Sequence, residues 1–390
     1  MIKKKMKKLI KSKNKIPYGK HYIDKKDNLS VIKALNSGII SNGTSLKFFE
    51  NKTKNYLGCK FSLACSSGTA ALHLSFLSLD LKKNDIVILP VINFIAAANI
   101  LSLMNAKFFF ADVDKYTGQI SKETLLKCID INKIKKIKAV VTTYLGGNIY
   151  NYEDILTLKK IYKFLLIEDA CHAFGSKYKL NKKYYSIGCS RHADISTFSF
   201  HPLKTITTGE GGLITTNKMN IYKKIKILRS HGFNYKKKYW LYDLKFNGLN
   251  YRMSDINAAL GLSQLKKINF FLKKRYLVAK NYHDSLKNIK YMRLPDLQKY
   301  SAWHLYIIQI DFKKIGISRD FLIKKLNILN IFPQVHYMPS VKFKKFYNSN
   351  KSQFQNAMYY YKNCLSLPVY FDYSKKDQEI VIKNLINILS

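Results

Sequence analysis

The chain has 390 residues, 47% of them hydrophobic, and a formal net charge of +44 from 68 Lys and Arg against 24 Asp and Glu. That length suffices for two domains with cores of their own, and no apolar run approaches the roughly 18 to 20 residues of a membrane helix, so a soluble, cytoplasmic protein is expected. The charge does not by itself indicate a nucleic-acid binder: only six of the basic residues are Arg, and the lysines are spread among Ile, Asn and Tyr without a clustered arginine and aromatic surface.

The amino-terminal run from Lys3 to Lys15 holds eight lysines in thirteen positions and predicts a flexible, solvated arm over residues 1–16. It has the charge of a signal peptide without the apolar region that must follow. From about residue 60 to residue 215, short apolar runs alternate with helix-length amphipathic ones. Strands are predicted at 61–64, 85–89, 107–111, 139–144, 164–168, 195–200 and 212–216, and helices at 69–79, 96–104, 122–129 and 152–161. The alternation argues for an α/β fold with a mostly parallel central sheet covered by helices on both faces, in a large domain spanning 17–250. Beyond it, a long helix at 254–277, a strand at 304–311, a helix at 319–328 and a strand at 331–337 predict a smaller C-terminal α/β domain over 251–390. The six cysteines, Cys59, Cys65, Cys128, Cys171, Cys189 and Cys364, form no C-x-x-C pair, so reduced thiols and no metal site are expected.

In sheets of this kind ligands gather at the carboxyl ends of the strands, and polar residues follow several of the predicted strands. Cys65-Ser66-Ser67-Gly68-Thr69 turns a strand into a helix, and the free N–H groups and dipole of a helix start can hold a phosphate without a charged side chain. Asp169, at the end of the run Ile167-Glu168-Asp169, can face a protonated pyridine nitrogen and keep a pyridoxal ring electron-poor. Lys204 follows Ser199-Phe200-His201-Pro202-Leu203 and precedes Thr207-Thr208-Gly209-Glu210-Gly211-Gly212. Its amine can form a Schiff base with an aldehyde and later act as a base. Each feature alone has an ordinary explanation as a cap, an ion pair or a tight turn. Together they supply an amine, a carboxylate and an anion cradle.

With the run S-F-H-P-L-K-x-x-x-x-G-E-G-G, the chain from about Tyr18 to its carboxyl end resembles the sugar-nucleotide aminotransferases of the DegT/DnrJ/EryC/StrS family. The resemblance implies an aspartate-aminotransferase-like fold (fold type I) and pyridoxal 5'-phosphate as cofactor. It implies that Lys204, Asp169 and His172 are catalytic, with Lys204 the Schiff-base lysine, Asp169 the pyridinium partner and His172 near the phenolic oxygen. Phe94 would stack on the ring, and Ser67, Gly68, Thr69 and Ser199 would hold the phosphate. Asn250 would reach the phosphate of a partner subunit, which implies a homodimer with shared active sites. Some family members dehydrate sugars and carry His at the position of Lys204; the lysine favours amination.

Within the family, Ala34-Leu35-Asn36-Ser37-Gly38, Arg229-Ser230-His231-Gly232, His304-Leu305-Tyr306 and Gln334-Val335-His336-Tyr337-Met338-Pro339 look closest to the transaminases of pseudaminic acid biosynthesis. By that resemblance Tyr18, Gly38, Ile39, Ile40, Ser41, Ser67, Gln334, Val335, His336 and Tyr337 line a nucleotide-sugar site. The expected reaction moves an amino group from L-glutamate to the 4-keto carbon of a UDP-linked 6-deoxy-hexose. The alternative substrates are other 4-keto sugars, those leading to perosamine, legionaminic acid or aminoarabinose.

Overall fold

The computed structural model describes residues 9–235, 240–347 and 351–389. Its strands begin with β1 (Ile16–Pro17), β2 (Phe61–Cys65), β3 (Ile86–Pro90), β4 (Lys107–Ala111) and β5 (Ala139–Thr143). They continue with β6 (Leu165–Asp169), a hairpin of β7 (Lys177–Leu180) and β8 (Lys183–Ser186), then β9 (Ile195–Ser199) and β10 (Gly212–Thr216). Seven of these form the central sheet in the order β2-β10-β9-β6-β5-β3-β4. All neighbours are parallel except β10, which runs against both β2 and β9.

Successive side chains on a strand point to opposite faces, and here both faces are covered. Ala64, Ile88 and Val140 enter one core, while Leu63, Val87, Leu89 and Val141 enter another. The first core is closed by α2 (Thr44–Leu57), α5 (Lys122–Ile131), α6 (Tyr152–Tyr162) and α8 (Asp255–Lys266), with α1 (Lys25–Leu35) laid over α8. The second is closed by α3 (Gly68–Ser78), α4 (Ala96–Leu103) and α7 (Met219–Leu228). Helix α2 shows the expected pattern of a surface helix, burying Leu46, Phe49, Thr53 and Leu57 along one stripe. Helix α3 is apolar nearly all round because it lies between the sheet and two other helices.

The C-terminal unit is built on three antiparallel strands, Met292–Arg293, Tyr306–Ile310 and Cys364–Leu367, packed by helices Arg319–Ile328 and Lys375–Leu389. Its predicted helix at 254–277 is two helices, α8 and α9 (Ile268–Leu286), separated at Lys267, whose φ of −101° and ψ of 0° leave the helical path. The Lys267 ammonium reaches the carboxylates of Asp24 and the fully buried Asp27. Helix α9 also spans the two cores: Ile268 and Phe271 pack in the large one, Val278, Ala279, Tyr282 and Leu286 in the small one. The two cores are therefore joined along α9. The predicted strand at 331–337 is only Ile331–Phe332, because Pro333 has no N–H to offer a ladder.

The arm expected over residues 1–16 is described only from residue 9. Residues 1–8 lie outside the described residues, but 9–16 are tied down. Ile10 exchanges two hydrogen bonds with the Asn384 side chain, Ser12 N–H donates to Leu329 O, and buried Ile16 pairs with Ile331 in the small core. Backbone hydrogen bonds at Ile10 and Ser12 and the burial of Ile16, not the lysine charge, set where this segment sits. None of the six cysteines is disulfide-bonded. Among the described residues, no helix is long and apolar enough to cross a membrane.

Candidate active site

Three parallel strands, β5, β6 and β9, end side by side, with Thr143 opposite Asp169 and Asp169 opposite Thr197. The chain leaves β9 at Ser199 and returns into β10 at Gly212, which pairs with both Ser199 and Cys65. The intervening loop is closed on itself: Phe200 O accepts from Thr208 N–H at 3.0 Å and from Thr207 Oγ1 at 3.0 Å, and Phe200 N–H donates to Gly211 O at 2.8 Å. A turn bond from Lys204 N–H to His201 O, 2.9 Å, fixes the lysine within it. Lys204 and Asp169 thus line one cavity of about 330 Å³, within the usual range for small-molecule sites.

Ser67 caps α3 by accepting from Ala70 N–H at 3.0 Å, and among the described residues the Gly68 and Thr69 N–H groups that precede it at the cavity edge have no partner. Gly68 makes this cradle possible. A Cβ there would lie 2.8 Å from Ser199 Cβ and 3.3 Å from Cys171 Sγ. Phe94, 57% exposed, shows its ring at the cavity wall, 6.1 Å from the Tyr337 ring.

The electrostatics match the geometry. Burial lowers the pKa of the Lys204 ammonium, with Arg275 adding to the effect and Cys171 and Asp169 opposing it. Burial raises the Asp169 carboxyl, against hydrogen bonds from Cys171 and the charge of Lys204. Burial and the Lys204 charge hold His172 well below its ordinary range and His336 down to about 3. A neutral-leaning amine suits Schiff-base formation, and a buried carboxyl suits a protonated ring nitrogen as partner. A planar face, an anion cradle, an amine and a buried carboxyl around one cavity fit pyridoxal phosphate.

Of the residues singled out from the sequence, Tyr18, Ser67, Gly68, Thr69, Phe94, Asp169, His172, Ser199, Lys204, His336 and Tyr337 meet at this cavity. The others do not line it within their own chain. Gly38, Ile39, Ile40 and Ser41 form an exposed turn after α1, anchored where Asp255 N–H donates to Ile40 O. Asn250 is exposed and bridges to Ser230. Gln334 pairs with Ser366, and Val335 packs into a neighbouring apolar cluster, because the chain after Pro333 lies along the Cys364–Leu367 strand. Sequence reasoning did not place Thr143, Cys171 and His304 at the cavity. Thr143 could have been found from its position at a strand end, whereas His304 arrives from the small domain, its ring 4.3 Å from that of His172.

The sequence profile of the DegT/DnrJ/EryC1/StrS aminotransferase family matches residues 21–386. The chain is 36% identical over 378 residues to the UDP-4-amino-4,6-dideoxy-N-acetyl-beta-L-altrosamine transaminase of Campylobacter jejuni subsp. jejuni serotype O:23/36, covering 96% of this chain and 97% of that protein. It is 33% identical over 387 residues to the spore coat polysaccharide biosynthesis protein SpsC of Bacillus subtilis, covering 96% and 97%. In structure it is similar to Helicobacter pylori PseC, an aminotransferase involved in the biosynthesis of pseudoaminic acid, with a TM-score of 0.88 at 29% identity, covering 96% of this chain and 99% of that one.

Proposed function

Since this chain belongs to the DegT/DnrJ/EryC1/StrS aminotransferase family and is a pyridoxal-phosphate-dependent sugar aminotransferase, we propose that it aminates the 4-keto carbon of a UDP-linked 4-keto-6-deoxy-hexose with L-glutamate as donor. The observation that carries the chemistry is that one cavity holds Lys204, Asp169 and the open start of α3. The substrate class is supported by the 36% identity to the altrosamine transaminase.

The cofactor, when bound, supplies an electron sink for the carbon that loses its proton. Lys204 Nζ would hold the aldehyde group and would serve as the base that takes up and returns the proton moved during transfer. Asp169 would keep a proton on the ring nitrogen by its negative charge. Gly68 and Thr69 N–H groups and Ser199 Oγ would hold the phosphate, and Phe94, at the cavity wall, would orient the ring. Asn250, exposed in its own chain, completes the phosphate site of a second copy in a homodimer.

The deciding experiment incubates purified protein with glutamate and a panel of UDP- and GDP-linked 4-keto sugars, with products identified by mass and NMR. A 4-amino sugar from a UDP-linked 6-deoxy substrate is expected. Product only from a GDP-linked sugar, or amination at another carbon, refutes the substrate assignment.

A further inference from the structure

We infer that Tyr337, held by His172, is the hydrogen-bond donor that the cavity presents to an oxygen of the ligand bound beside Lys204. Gly146 N–H lies 3.3 Å from His172 Nδ1. A backbone N–H can only donate, so Nδ1 carries the lone pair and the single proton of the neutral ring sits on Nε2. Nε2 is 3.1 Å from Tyr337 Oη. The Nε2–H therefore donates and the phenol oxygen accepts. The reverse arrangement, with Tyr337 donating to His172, would require a proton on Nδ1 and set two N–H groups against each other.

With its oxygen occupied as an acceptor, Tyr337 must direct its own proton elsewhere. Among the described residues, no other group hydrogen-bonds Oη, and Tyr337 lines the cavity with Lys204. The preceding residue, His336, is also held in place. His336 Nδ1 lies 2.7 Å from Ser366 Oγ, and His336 O accepts from Tyr360 Oη at 3.0 Å. Burial of His172 beside the Lys204 charge keeps the imidazole neutral, as the arrangement requires. His172, itself on the cavity wall, thus positions the Tyr337 hydroxyl toward ligand.

The acceptor is an oxygen lone pair, and two oxygens qualify under the function proposed above: the phenolic oxygen of the cofactor and the carbonyl oxygen of the sugar. The Tyr337→Phe variant, which keeps the ring, separates them. If the cofactor oxygen is the acceptor, the apo variant binds pyridoxal phosphate at least fivefold more weakly and its visible band shifts, with no sugar present. If the sugar carbonyl is the acceptor, both stay unchanged. The half-reaction with keto sugar then slows at least tenfold, while the half-reaction with glutamate stays within twofold. Either outcome supports the assignment.

Independently, ¹⁵N-histidine NMR of the unmodified protein, assigned by loss of the signal in His172→Asn, should report the Nε2–H tautomer of His172. An Nδ1–H tautomer overturns the inference, as does a Tyr337→Phe variant that matches wild type in cofactor binding and in both half-reactions. Failure of the wild-type protein to aminate any keto sugar would refute the function proposed above. The tautomer and the cofactor-binding comparison would then decide the inference alone, an unchanged affinity counting against it.

Discussion

Gly68→Ala is the smallest change that should damage the cofactor site. The added methyl would meet Ser199 Cβ at 2.8 Å, with Ser199 Oγ and Cys171 Sγ each at 3.3 Å. Carbon atoms rest at about 3.5–4.0 Å, so the first turn of α3 or the end of β9 must retreat by close to an ångström. Neither retreats freely, since Ser199 is paired in the sheet and α3 is buried along most of its length. Overpacking of this kind costs about 1–3 kcal/mol. If that cost falls on the phosphate cradle, affinity for pyridoxal phosphate drops about 10- to 100-fold, because about 1.4 kcal/mol is a factor of ten. The assay titrates apo-protein with pyridoxal phosphate by its visible band and follows thermal unfolding in parallel. Adding Ser199→Gly removes the opposing Cβ and should restore most of the thermal stability, but not the affinity, because the Ser199 hydroxyl is lost with it. A single variant that binds within twofold of wild type and melts with it would refute the claim that the glycine is there for close approach.

Borohydride reduction of the loaded protein should fix a pyridoxyl group on Lys204, and peptide mapping to another lysine would defeat that role. Asp169→Asn should retain cofactor but lose about a thousandfold in turnover, the equivalent of roughly 4 kcal/mol of transition-state stabilisation; near wild-type turnover would mean that another acid holds the ring nitrogen. Burial holds His336 down to about 3, while the unfolded side chain titrates near about 6.5, so its contribution is intact above that pH and is lost as pH falls. At pH 5.5 the loss is about 1.4 kcal/mol, and His336→Asn should reduce the fall in unfolding free energy between pH 7.5 and 5.5 by about that amount; equal falls in the two proteins would rule His336 out as the cause. Mixed dimers pairing a Lys204→Ala chain with an Asn250→Ala chain, assayed at limiting cofactor, should recover about half of wild-type activity if Asn250 serves the partner's site. Provided the Asn250→Ala homodimer is itself impaired, recovery no better than the mean of the two mutant homodimers would reject the shared site.

What could be read from the sequence was whatever depends on near neighbours along the chain. The central strands are apolar because both faces are buried, as in Ile86–Pro90 and Ala139–Thr143, and such runs stand out against a lysine-rich background. Asp169 and Lys204 were legible because each sits at or just beyond the end of such a strand, where an acid or an amine has a reason to be. The break at Lys267 was not legible, since the carboxylates its side chain meets lie some 240 positions earlier. Nor was the packing of residues 9–16, whose partners are near the carboxyl end. The same limit governs the chemistry of the site. The resemblance sets His172 near a cofactor oxygen, but the proton on His172 is assigned by Gly146, 26 positions earlier, and used by Tyr337, 165 positions later. Neither partner is marked by any local pattern, because a glycine N–H and a tyrosine hydroxyl acquire their meaning only from what the fold sets opposite them. The residue types that make an aminotransferase possible are local in sequence. The direction of each hydrogen bond, which decides whether the cavity offers a ligand a donor or an acceptor, belongs to contacts between distant segments.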